Sequence, residues 1–242
     1  MSLHDILTEM RARRKTVTVY GADPRDDLEA LFDTRNVTVV HQSLPDEDTE
    51  GFLVVSDEHG YLGSVGLRAV RHLLEPTYDA ALCSTHESAA FRCLLELLDD
   101  TVFTSLDKRQ LLAASREIED RAWRLGRGEL HTGFQSLAAM RAQVPVYSQL
   151  GSRTELDVHV YGTPEWIPET LHDVWIYPVE SEEIGRYWFV AYDGGDDDLN
   201  ACALLAVEVG SQRFEGFWTY DPAVVATLVD YISETYGPKK VE

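Results

Sequence analysis

Apolar positions along this chain switch between two spacings. Leu3, Ile6, Leu7 and Met10 recur at three and four residues, the period of one helix face, so an amphipathic helix opens the chain. "TVTVY" from Thr16 then alternates in the manner of a strand, and Gly21 to Pro24 breaks it. Leu28, Leu31 and Phe32 mark a short helix, and "NVTVV" from Asn36 a second strand. After a polar loop over 43–51, "FLVVSDEHGYLGSV" predicts two strands joined by a turn at 58–60. A helix over 67–74 stops before Pro76.

The middle of the chain reads differently. A helix is predicted over 89–98, "TVFTSL" is a short strand, and 108–125 is a long helix. Leu111, Leu112, Ser115, Ile118, Ala122 and Leu125 line one face of that helix. "LGRGELHTGF" then carries Gly126, Gly128 and Gly133, which together predict a sharp bend. Two short helical pieces follow, over 136–141 and 145–151.

From Leu156 the early order returns. "LDVHVYGTP", "DVWIYPV", "RYWFVAYDGGDDD", "ACALLAVEV" and "RFEGFWTY" are strands, and 222–236 is a closing helix. Asp221 is a good N-cap for it and Pro222 a good first helical residue. "KTVTVYGAD" and "LDVHVYGTP" share a Val-x-Val-Tyr-Gly core. Val17 and Val158 lie 141 positions apart, and Phe52 and Phe189 lie 137 apart. Near-constant offsets over several elements point to a structural duplication. The expected class is α+β: two related α/β lobes with mixed or antiparallel sheets, joined by a helical middle segment. The expected domains are an N-terminal lobe over 1–80 and a second over 81–242.

Charge changes the picture more than size does. The 242 residues are 44% hydrophobic, which is enough for a core. Asp plus Glu number 42 against 21 Lys plus Arg, for a formal charge of -21. Lys15, Lys108, Lys239 and Lys240 are the only lysines. The acid is dispersed over a chain with clear strand and helix patterns, so disorder does not account for it. It suits a cytoplasm of molar salt, where the Debye length falls to about 3 Å and self-repulsion is screened. The alternative is an acidic surface built for a basic partner. Direct nucleic-acid binding is not expected, because phosphate contacts need a basic face. No apolar run approaches the roughly 20 residues that span a bilayer, and "MSLHDILTEMRARRK" lacks a signal-peptide centre. No membrane insertion and a cytoplasmic location are therefore expected. Cys83, Cys93 and Cys202 show no Cys-x-x-Cys spacing, which favours core thiols.

Recognisable catalytic signatures are few. Neither a Gly-x-x-x-x-Gly-Lys loop, a Gly-x-Gly-x-x-Gly turn nor a Gly-x-Ser-x-Gly elbow is present. "YDGGDDD" from Tyr192 superficially suggests a calcium loop, but it lacks the ligand spacing and distal Glu; a solvated turn is expected and no metal site. His159 shares a strand face with Asp157 and Tyr161, so it is a candidate ligand or proton relay. In "SREIEDRAWRLGRGELHTGFQ" the pairs Arg116–Asp120 and Glu117–Arg121 are four apart and are expected to face each other. The glycine-rich stretch after them gathers a His, a Phe and a Gln. The candidate ligand-binding residues are Arg116, Glu119, His131, Phe134, Gln135, Tyr147 and Tyr161. Trp166, Trp175, Trp188 and Trp218 join Tyr147 and Tyr161 as candidate pocket aromatics.

"SREIEDRAWRLGRGELHTGFQSL", followed by "PVYSQLG" and "DVHVYGTP", resembles the DICT domain, a sensory domain of diguanylate cyclases and two-component systems. The opening "MSLHDILTEMRARRKTVTVYGAD" is similar to stand-alone members from salt-loving archaea. Ser115, Arg116, Ile118, Glu119, Gly133, Phe134, Gln135, Tyr161 and Gly162 fit the family pattern. The resemblance implies a sensory role, with a link to light or redox signals, and carries over no catalytic residues. It also implies a signal passed in trans, to a partner such as a histidine kinase or transcription regulator, because no output domain follows in this sequence. The cofactor, if any, is left open. Two other readings stand beside it. One is an interaction module or homodimer that uses an exposed apolar face on the closing helix (Val224, Leu228, Tyr231, Ile232). The other is an enzyme of unrecognised type built on Glu119, Glu129 and His131.

Overall fold

The structure is a computed structural model that describes residues 1–21, 32, 36–44, 51–67, 102–153, 155–167, 171, 173–210 and 213–237. The helices expected around Leu28, over 67–74 and over 89–98 lie outside those residues, as do Cys83 and Cys93. The fold is α+β with two mixed sheets. It divides into two compact units, Met10–Thr104 and Met1–Glu9 with Ser105–Glu242. The division falls inside the first helix, α1 (Leu3–Ala12).

The smaller unit is built on β1 (Lys15–Gly21), β2 (Val37–Ser43), β3 (Phe52–Asp57) and β4 (Gly60–Gly66), in the order β2-β1-β3-β4. β1 pairs parallel with β2 and antiparallel with β3. Its β-branched alternation buries Val17 and Val19 beside Leu53 and Val55, as a half-buried strand requires. The β3–β4 turn closes where Asp57 accepts from the amides of His59 and Gly60 at 2.7 and 3.1 Å. Gly60 supplies the left-handed backbone there, at φ +127°.

The second sheet is made of β5 (Val102–Asp107), β6 (Arg127–Ser136), β7 (Glu155–Thr163), β8 (Val174–Pro178), β9 (Tyr187–Tyr192), β10 (Cys202–Gly210) and β11 (Arg213–Thr219). Their order is β5-β11-β10-β9-β6-β7-β8. β6, β7 and β8 run parallel, and β9, β10 and β11 join antiparallel. α2 (Lys108–Leu125) covers one face, burying Leu111, Ser115, Ile118 and Ala122, and Trp188 of β9 donates to Ser115 Oγ at 3.1 Å. A 3-10 helix (Leu137–Gln143) and α3 (Val144–Gly151) extend that cover, with Tyr147 edge-on to Phe134 of β6. On β9 and β10 the opposite face is covered by α5 (Pro222–Tyr236).

α5 follows the expected bounds. Asp221 caps it by accepting from Ala223 N, and Pro222 occupies its first turn. Its apolar face is not free for docking: Val224, Leu228 and Ile232 are buried, and Tyr231 donates to Glu183 at 2.7 Å. Glu183, in the short helix α4 (Glu182–Arg186), also accepts from Tyr236 and from Leu3 N at the start of α1.

The bend expected at 126–133 is instead the strand β6, in the middle of the large sheet. Each glycine has its own reason. Gly126, at φ +67°, follows the end of α2, and its amide bonds to Ala122 O. Gly128, at φ +88°, lets Asp193 and Gly195 approach its backbone. Gly133 lies under the Phe189 ring, where a Cβ would collide with it. Close approach by neighbours, rather than chain reversal, is what selects glycine here.

Candidate functional site

The parallel arrangement of β6, β7 and β8 sets residues at matched heights on neighbouring strands. His131 is level with His159, and Tyr161 with Tyr177. Parallel strands lie about 4.8 Å apart, so level rings on one face stack. His131 and His159 stack at 4.5 Å and 5°, and Tyr161 and Tyr177 at 4.8 Å and 16°. The hydrogen bonds run diagonally. His131 Nδ1 meets Tyr161 Oη at 3.1 Å, and His159 Nδ1 meets Tyr177 Oη at 3.1 Å. His131 Nε2 is 3.1 Å from the carboxylate of Glu129, two residues before it on β6. The result is a ladder of four rings ended by a carboxylate.

Exposure falls across this ladder. His131 and Tyr161 are 1% exposed, while the Glu129 side chain is 48% exposed. The hydrogen bond from His131 holds Glu129 below the ordinary carboxylate range, against partial burial. Burial, helped by His131, lowers His159 to about 4, so its ring is neutral at neutral pH. Burial raises Tyr161 and Tyr177, which therefore keep their protons. An ionised carboxylate, a neutral imidazole and two phenols can bind an ion, accept hydrogen bonds or move a proton.

A second polar cluster serves the opposite face. Glu119 of α2, 6% exposed, accepts from Tyr147 Oη at 2.7 Å and pairs with Arg116, which also donates to Gln143. Burial raises the Glu119 pKa, opposed by Tyr147 and Arg116, and raises Tyr147 well above its usual value. The expected i,i+4 pairs on α2 did not form as read. Arg116 reaches forward to Glu119, because the inward side holds a buried carboxylate, and Asp120 and Glu117 both pair with Arg124.

The sequence candidates thus separate. Arg116, Glu119, Phe134 and Tyr147 sit together on one face, His131 and Tyr161 on the other. Gln135 belongs to neither: at φ +58° it ends the regular part of β6, and its amide donates to Arg186 O at 2.8 Å. His159 was noticed for its own strand, but its ring partners stand on β6 and β8. Tyr177 was missed, although the alternation of Trp175 and Tyr177 with Val174 and Ile176 marks it as a same-face neighbour.

Other features are less suited to a site. The acidic turn after β9 uses its carboxylates on the backbone: Asp193 accepts from Glu129 N and Gly195 N, and Asp197 from Leu199 N. Cys202 is buried, and burial pushes its thiol up to about 12, so it is a poor nucleophile. A groove of 560 Å³ opens at the end of β7, lined by Thr163, Glu165, Glu180, Glu182 and Arg186 among others, but it is shallow and apart from the ladder.

Residues 92–209 match the model of the DICT family, a sensory domain in diguanylate cyclases and two-component systems. The matched stretch carries both clusters. No curated protein matches the chain. A solved structure of polyphosphate kinase from Porphyromonas gingivalis is similar at 10% identity and a TM-score of 0.38. The likeness covers 96% of this chain and 47% of that one, and at this level it carries no reading of function. Among the described residues no helix is long and apolar enough to cross a membrane.

Proposed function

We propose that the chain is a non-enzymatic sensory regulator that receives a small ligand or a partner protein at the ring ladder of β6, β7 and β8 and signals in trans. The carrying observation is a stretch matching a sensory-domain family in which an interior strand buries His131, bonded through Nδ1 to buried Tyr161 and through Nε2 to half-exposed Glu129. Burying an imidazole costs free energy unless both nitrogens are bonded, and here the bond that meets this cost ends on a half-exposed carboxylate within reach of solvent. The partner is a signalling protein such as a histidine kinase or a transcription regulator. Any light or redox link would act through a bound group rather than through Cys202, given its burial.

The test is to purify the protein in molar KCl, denature it, and analyse what is released by mass spectrometry against a buffer control. Glu129→Gln and Tyr177→Phe are read alongside it in a cellular signalling assay. A stoichiometric compound, or a changed output from both substitutions, supports the reading. An empty protein together with two silent substitutions overturns it.

A further inference from the structure

A carboxylate oxygen of Glu129, one imidazole nitrogen of His131 and one of His159 all lie within 4.8 Å of one another. We propose that these three residues bind a divalent first-row transition-metal ion of the zinc class, and that this ion is what the ladder receives. The inference rests on the ladder being the sensory site.

The hydrogen bonds outside the cluster favour metal binding over simple packing. Each histidine places Nδ1 on a tyrosine hydroxyl, His131 on Tyr161 and His159 on Tyr177, both at 3.1 Å. Where Nδ1–H donates to the hydroxyl, Nε2 carries a lone pair, the form that the outer partners of metal-bound histidines hold in place. On His131, Nε2 is the donor to the Glu129 carboxylate, so an ion bound there takes the place of that proton and the ring shifts to its Nδ1–H form. His159 Nε2 has no bond among the described residues. Two imidazoles and one carboxylate suit a zinc-class ion better than magnesium or calcium, which prefer all-oxygen sites.

Binding has a definite structural consequence. Zinc–nitrogen bonds of about 2.0 Å bring tetrahedral ligand atoms to about 3.3 Å apart, closer than 4.8 Å. His159 sits nearer the sheet edge and is more exposed than His131. It therefore turns out of its 5° stack on His131 and carries Tyr177 with it. The half-exposed Glu129 leaves the fourth position open to water, in the manner of a site with three protein ligands.

The test uses the full chain, stripped with a chelator and titrated with Zn²⁺ in excess Mg²⁺, which occupies the many surface carboxylates. Co²⁺ is the spectroscopic probe. The expected result is one Zn²⁺ per chain and a visible Co²⁺ band, with Tyr177→Phe weakening binding by about 10- to 100-fold and His159→Gln by more. His131 is left intact because it is fully buried, and circular dichroism checks each variant's fold. No Zn²⁺ binding by folded protein, or binding unchanged in His159→Gln, overturns the metal. If that happens while an organic compound is released or the signalling output still responds to Glu129→Gln, only the metal assignment falls and the sensory reading stands. If output is silent as well, both fall.

Discussion

Glu119 and Glu129 lie close in sequence, serve opposite faces of one sheet, and have their carboxyl pKa values pushed in opposite directions. Glu119 is enclosed by α2 and α3, and burial favours its protonated form. Glu129 ends an open ladder, and its histidine neighbour favours its ionised form. The difference teaches that a charged partner alone does not set a carboxylate's state. Arg116 stands beside Glu119, yet removal from water outweighs it. The closed cluster therefore reads as the unit's support, and the open one as the place where something can arrive.

The comparison breaks most completely if the strand between the two faces is disturbed. Gly133→Ala forces a methyl group into the Phe189 ring beneath the ladder, and overpacking of this kind costs about 1–3 kcal/mol or more. Denaturant unfolding should show the loss, with the two-state midpoint falling sharply. Tyr147→Phe removes one hydrogen bond from enclosed Glu119 and should cost about 1–3 kcal/mol by the same assay. A loss near zero would mean that the closed face is wetter than its burial indicates.

Stability against pH separates the faces by sign. Glu119, raised above 4.5, contributes fully below that pH and loses its contribution as pH rises through its raised value. Glu129, lowered from 4.5, contributes fully above it and loses its contribution as pH falls through the lowered value. His159 falls from 6.5 to about 4, so its contribution is full above 6.5 and disappears as pH drops towards 4. Denaturant unfolding across pH should show Glu119→Gln flattening the alkaline side of the profile. Glu129→Gln and His159→Gln should flatten the acid side. The smallest effect belongs to the turn after β9: Asp196→Asn breaks a bond between exposed groups, Arg127 and Asp196. It should shift stability by no more than about 0.5 kcal/mol.

Much of the scaffold was legible along the chain. The closing helix carries its own cap and proline, and β3, β4, β9 and β10 show apolar patterns strong enough to stand alone. β6 was not, because its glycines answer to Asp193, Gly195 and Phe189, residues about 60 positions away that no local window contains. Its period-two pattern, with Glu129, His131 and Gly133 against Leu130, Thr132 and Phe134, was available and would have outvoted them. The ladder was half legible. His131, His159 and Tyr161 are visible as chemistry, but which ring meets which depends on strand register, which is set by tertiary pairing.

The two sheets share one arrangement: β1 pairs parallel with β2 and antiparallel with β3, and β6 pairs parallel with β7 and antiparallel with β9. In the larger sheet β7 and β8 precede β9 along the chain, which sets an order of events on the ribosome. All four rings and Glu129 leave the exit tunnel before β9, the strand that places Phe189 against Tyr161. The growing chain thus carries the ring ladder, polar and unsealed, for some time before the remaining sheet is synthesised. A co-translational chaperone, or an ion already present in the cytosol, would meet the ladder first.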